Sequence, residues 1–188
     1  MRLLNVGGGA GRNVPAHYRD WDHDLLDIDP DVKPDIVCDA KELTTLPRSR
    51  YDAVYCSHNL EHFYKHEVPV VLAGFVHVLR PAGFAQIAVP DIGALFEAVR
   101  GRDINDTWYV CGGGKISFHV VLYGWGAQVE KGNAFYAHKT GFTKKSLTKA
   151  LTEAGFAKVM VANDDFGNLH AYAFKSRPQP ELLKSLGV

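Results

Sequence analysis

The sequence predicts an α/β fold: a doubly wound, mostly parallel seven-stranded sheet with an antiparallel last strand. Three observations carry this. Short apolar runs alternate with helical stripes, a glycine cluster follows the first run directly, and the last two runs are separated only by a short turn.

The run "LLNV" leads straight into "GGGAGRN", a buried strand entering a tight turn. "HDLLDID", closed by Pro30, "PDIVCDA" and "RYDAVYCS" are the next three strands. Val68, Val71, Leu72, Phe75, Val76 and Leu79 then fall on one helical face, with Pro69 tolerated in the first turn and Pro81 and Gly83 as the stop. "FAQIAVP" is the fifth strand, and Asp91 caps a short helix carrying Ile92, Leu95, Phe96 and Val99. Thr143 caps another, with Leu147, Ala150, Leu151 and Ala154 on its stripe and Gly155 at its end. "AKVMVAN" and "LHAYAFK" close the sheet as an antiparallel pair.

Residues 101–142 show no clean period and are rich in Gly, aromatics and His. The expected organisation is one domain over residues 1–176, with 101–142 as an insert forming a lid, and residues 177–188 as a short polar tail marked by Pro178 and Pro180. The alternative for the insert is a loop that pairs two copies as a homodimer.

Composition removes several function classes. The 188 residues carry 21 basic and 21 acidic side chains, so no net charge draws the chain to nucleic acid or to an anionic membrane. No apolar run is long enough to span a bilayer. Cys38, Cys56 and Cys111 are widely spaced and form no C-x-x-C pair; Cys38 and Cys56 sit in apolar runs as buried thiols, and a cytoplasmic setting is expected. Residues 112–115, "GGGK", lack the first glycine and the Ser/Thr of a phosphate loop.

In a sheet of this kind, ligands bind at the carboxyl ends of the strands, near the switch point. Gly7, Gly9 and Gly11 give G-x-G-x-G; Arg12 stands where a dinucleotide fingerprint needs glycine, which argues against a nicotinamide oxidoreductase. Asp27 ends the second strand 20 positions after Gly7, placed to accept from a ribose diol, and Asp39 ends the third, placed to accept from an adenine amino group. His58, Glu61 and His62 spell H-x-x-E-H, a zinc-protease spacing. A catalytic metal would need both histidines on one helix and a third ligand, whereas His58 follows directly on a strand, so no metal is expected.

Together, "LLNVGGGAGR", "LLDID", "VCDAKELTTLP", "YDAVYCSHNLEHF" and "VLRPAGFAQIAVPD" resemble the successive motifs of the class I S-adenosylmethionine-dependent methyltransferases, closest to the methyltransferase type 11 group. The likeness covers about residues 3 to 91, and "HKTGFTKKSLTKALTEAGF" is similar to that group's late helix–strand unit. It implies a Rossmann-like fold with S-adenosyl-L-methionine as cofactor. Gly7, Gly9 and Gly11 would line its methionine and ribose, Asp27 would hold the ribose hydroxyls and Ile28 would pack on adenine. Asp39 would bond the adenine amino group beside the backbone of Ala40, and Ser57 and His58 would lie near the sulfonium. Asn5 replaces an acidic residue usual in the family, at a position that contacts the cofactor's ammonium group.

The expected reaction is methyl transfer to a small-molecule acceptor, with His58 or His62 as base where the acceptor needs one. His119, Tyr123, Trp125 and His138 of the insert are the candidate acceptor contacts. The rival reading is a non-catalytic cofactor- or nucleotide-binding protein of the same fold.

Overall fold

The computed structural model describes residues 1–111 and 114–187, which leaves Gly112 and Gly113 of the "GGGK" stretch outside the described residues. Strands β1 (Arg2–Val6), β2 (Asp22–Asp27), β3 (Ile36–Val37), β4 (Tyr51–Ser57) and β5 (Leu79–Pro90) form the parallel part of the sheet. Helix α1 (Val68–Val78) makes the β4–β5 crossover, and α2 (Ile92–Ala98) follows β5. A separate hairpin, β6 (Thr107–Cys111) and β7 (Gly114–Ser117), precedes the short helices α3 (Phe118–Tyr123) and α4 (Gly126–Val129). Helix α5 (Lys144–Glu153), strands β8 (Lys158–Asn163) and β9 (Asn168–Phe174) and helix α6 (Pro180–Leu186) complete the chain.

The main sheet has the order β3-β2-β1-β4-β5-β9-β8, with β9 antiparallel to both neighbours, as the sequence predicts. Because strand order reverses between β1 and β4, their carboxyl ends open a crevice. Both faces of the central strands are covered, which is why they read as unbroken apolar runs. Leu4, Val6, Val54, Cys56 and Ile87 face a core closed by α1 and α5. Leu3, Ala53, Phe84 and Phe174 face a smaller one around Tyr18.

That second core corrects the expected polar tail. Residues 180–186 are helical, and Leu182, Leu183 and Leu186 pack against the Tyr18 cluster. Leu186 lies three and four positions after Leu183 and Leu182, so the three share a helical face, and the Pro-rich approach masks so short a stripe.

The first three crossovers are short 3-10 helices, at Ala16–Tyr18, Pro30–Val32 and Ala40–Thr45, of one, one and two turns. The third of these packs on α1, where a Cβ at Gly74 would lie 2.6 Å from the Cβ of buried Leu43. Alanine for glycine inside a helix ordinarily gains about 1 kcal/mol. Overpacking a filled core costs about 1–3 kcal/mol. With the contact this close, Gly74→Ala is expected to lower the urea midpoint, and a rise would show that the 3-10 helix yields freely.

Among the described residues, no helix is long and apolar enough to cross a membrane. Cys56 is fully buried and Cys38 partly so, as expected, whereas Cys111 is exposed. Burial drives the Cys56 thiol well above its ordinary pKa, so it behaves as core.

Candidate active site

The glycine loop is bent where glycine is needed. Gly7 and Gly9 have φ of +68° and +59°, and a Cβ on Gly7 would collide with the Asn59 side chain. Gly9 faces open space, so ligand atoms can approach its backbone. The loop is tied to its neighbours: Gly7 N–H donates to Leu26 O at 2.8 Å, and Gly9 N–H donates to Asp27 Oδ2 at 3.1 Å. Asp27 Oδ1 accepts from Asp29 N–H at 3.1 Å. The carboxylate is thus fixed at the end of β2, and each oxygen keeps acceptor capacity for a ligand.

A groove of about 430 Å³ runs along these strand ends. Gly7, Gly9, Asp27, Ile28, Asp39, Ala40, Ser57, His58 and His62 all line it, so most of the residues expected around a cofactor come together there. Ile28 is half exposed beside buried Asp27, an apolar surface next to a carboxylate. Asp39 caps the turn after β3 by accepting from Lys41 N–H at 3.0 Å, and Lys41 Nζ reaches Glu67 at 2.8 Å.

Two expected residues stand elsewhere. Gly11 is exposed and off the groove, because the loop turns outward where Arg12 pairs with Asp35 at 2.8 Å. Asn5 is buried beneath the loop, where a Cβ on Gly8 would strike its amide; it supports the backbone and does not line the groove. Sequence reading missed Phe63, Tyr64, Phe135, Tyr136 and Lys139, which complete the wall. The aromatic pair after His62 was the available signal; the insert residues are too far along the chain to give one.

Past Ser57 the backbone turns through His58, whose φ of +49° is unusual for a side chain with a Cβ. Its N–H donates to Ala88 O at 2.8 Å, which holds the imidazole at the β4–β5 edge. The next turn buries Glu61 almost completely. Neither carboxylate oxygen has a well-formed hydrogen bond: His58 Nδ1 stands at 3.5 Å and His138 Nε2 at 3.9 Å. Burial works against the Glu61 charge, but His58, at the margin of hydrogen bonding, together with His62 and His138, holds the carboxyl below its usual range. Partial burial likewise opposes charge on His58, and Glu61 outweighs it, raising that imidazole above its ordinary value.

A residue from outside the H-x-x-E-H motif joins two of its members in space. Glu61, His62 and His138 bring their donor atoms within 4.8 Å of one another. The pair that the motif spacing suggested, His58 and His62, is not the pair that converges with the third donor. His138 comes from the insert, 76 positions after His62, so local spacing carried no trace of it.

A second cavity, of about 380 Å³, adjoins the first. It is lined by His58, His62, Trp125, Tyr136 and His138 together with Tyr109, Val120 and Val121. Of the four insert residues expected to contact an acceptor, Trp125 and His138 line this cavity. His119 and Tyr123 do not: both are exposed, and they pack on each other with ring centroids 5.0 Å apart. The insert is also more regular than its sequence suggests, since Leu95, Phe118 and Val121 form a small core of their own with Trp108 and Ile116. Its end is pinned to the β4 loop, where Lys139 and Thr140 N–H donate to Glu61 O at 2.9 and 3.2 Å.

Comparison with known proteins agrees with the resemblance read from the motifs. The family model described as a methyltransferase domain matches residues 4–87, less than half of the chain. No curated protein matches the sequence. Among solved structures, an S-adenosylmethionine-dependent methyltransferase from Archaeoglobus fulgidus is 16% identical, with a TM-score of 0.60 over 93% of this chain and 86% of that one. A second, from Aquifex aeolicus, is 12% identical, with a TM-score of 0.60 over 94% and 82%. The 1,6-didemethyltoxoflavin-N1-methyltransferase of Burkholderia thailandensis, solved with its substrate and S-adenosylhomocysteine bound, is 17% identical, with a TM-score of 0.55 over 94% and 71%. At these identities the structural likeness is one of fold. The likeness to the methyltransferase domain thus falls on the stretch from β1 to β5, and the neighbours that share the fold are described as S-adenosylmethionine-dependent methyltransferases.

Proposed function

We propose that this chain transfers a methyl group from S-adenosylmethionine to a small-molecule acceptor. The observation that carries the reading is the convergence of Gly7, Gly9, Asp27, Ile28, Asp39 and Ser57 on one groove within the stretch that matches the methyltransferase domain. The residues fit the cofactor. Asp27 offers acceptor capacity for two ribose hydroxyls, exposed Ile28 offers an apolar face for adenine, and open Gly9 admits the chain that links them.

When bound, the cofactor supplies an activated methyl group on a sulfonium, so the protein's part is alignment and exclusion of water. Ser57 and His58 stand where the two cavities meet, the place for methyl and acceptor to face each other. Residues 101–142 act as the lid, with Tyr136 walling both cavities and Trp125 and His138 walling the acceptor side. The compact acceptor cavity favours a small molecule over a polymer.

The test is direct. Calorimetric titration with S-adenosylhomocysteine is expected to give one site in the micromolar range, and NAD is expected not to compete. Transfer of label from radioactive S-adenosylmethionine to any member of a broad acceptor panel would then separate an enzyme from a binding protein. Failure to bind the cofactor product would remove the reading altogether.

A further inference from the structure

We propose that Glu61, His62 and His138 form a site for one divalent transition-metal ion, such as Zn²⁺ or Co²⁺, between the two cavities. The cluster has the parts such a site needs. Glu61 is 1% exposed, and neither of its carboxylate oxygens has a hydrogen-bond partner. A carboxylate in that position is costly unless a cation or a set of donors satisfies it.

The two imidazoles are already oriented for coordination. His62 Nδ1 is 3.0 Å from Ala137 O, and His138 Nδ1 is 2.9 Å from Val121 O. A carbonyl can only accept, so each Nδ1 carries the hydrogen and each Nε2 keeps its lone pair. Fixing a ligand histidine through a backbone carbonyl at its other nitrogen is how metal sites set tautomer and ring angle. The rings pack edge to face with centroids 4.8 Å apart, and His138 Nε2 already lies 3.9 Å from Glu61 Oε1.

Donors sharing a four-coordinate ion at about 2.0–2.1 Å stand roughly 3.3 Å apart, so the present set, within 4.8 Å, closes by small side-chain rotations. Two imidazoles and one carboxylate suit zinc or cobalt better than magnesium or calcium, which prefer oxygen ligands alone. Three protein ligands leave a fourth position open, as in sites where the metal meets a substrate. His62 and His138 both line the acceptor cavity, so that position belongs to an acceptor heteroatom with an ionisable hydrogen, a thiol or a phenol. His58, at 3.5 Å from Glu61, lies beside the set as the rival partner of that carboxylate.

The role of the open position rests on the methyl-transfer reading, whereas the metal site itself does not and is tested without turnover. Protein stripped with a chelator and titrated with Co²⁺ is expected to bind one equivalent, with visible absorption bands of a four-coordinate ion and a raised melting temperature that Zn²⁺ also gives. His138→Ala, in the insert and outside the sheet core, is expected to weaken Co²⁺ binding by at least about 100-fold, and Glu61→Gln by a similar factor. His119→Ala, exposed on the same segment, is expected to bind as the parent does. A circular dichroism spectrum and urea midpoint close to the parent's would confirm that His138→Ala is folded. The proposal is overturned if Co²⁺ binds with no defined stoichiometry, or if its bands survive His138→Ala; Glu61 would then be the ion-pair partner of His58.

Discussion

Asp27→Ala is expected to weaken S-adenosylhomocysteine binding by about 2–4 kcal/mol, roughly 30- to 900-fold. Each hydrogen bond to a charged group contributes about 1.5–3 kcal/mol, and the carboxylate would offer two to the ribose, with imperfect additivity. It also accepts from the N–H groups of Gly9 and Asp29, so its removal frees the loop that shapes the groove. Calorimetry on parent and variant checks the figure. Equal affinities would place the ribose elsewhere and remove the strongest single support for the cofactor assignment.

Phe75→Ala is expected to cost about 3–5 kcal/mol of folding stability. The ring is fully buried where α1 covers the sheet, so truncation loses transfer energy and leaves a void in a close-packed interior. Against a total of about 5–15 kcal/mol for a domain, that loss is a large share. Urea unfolding followed by circular dichroism should show a much lower midpoint at similar slope. A loss below about 1 kcal/mol would mean that the core collapses around the gap.

The fold was legible where one kind of signal ran long enough. Seven apolar runs became seven strands, and Asp91 and Thr143 cap α2 and α5 through their side chains. The groove was legible for a related reason: in a parallel sheet, the residue after each strand lands on one edge. A place in the first strand or in the loop after it did not guarantee a place in the groove, however, as buried Asn5 and exposed Gly11 show.

What stayed hidden was short or distant. Helices α3 and α4, of six and four residues, are too brief to establish a period, so an ordered segment looked irregular. Helix α6 packs only three partly buried leucines against the sheet side. Glu61 looked like part of a motif with His58 and His62, whereas its environment depends on His138, which arrives through the hydrogen bonds of Lys139 and Thr140 to Glu61 O. Such contacts are set by the path of the chain and leave no mark in local spacing.

His58, His62 and Tyr136 each belong to the walls of both cavities. A molecule that settles these three side chains from one side has already done so for a molecule arriving from the other. The two occupancies are then linked, and linkage is reciprocal: whatever factor the cofactor product adds to acceptor affinity, the acceptor adds to product affinity. The acceptor can therefore be sought without any reaction, by screening small molecules for those that tighten S-adenosylhomocysteine.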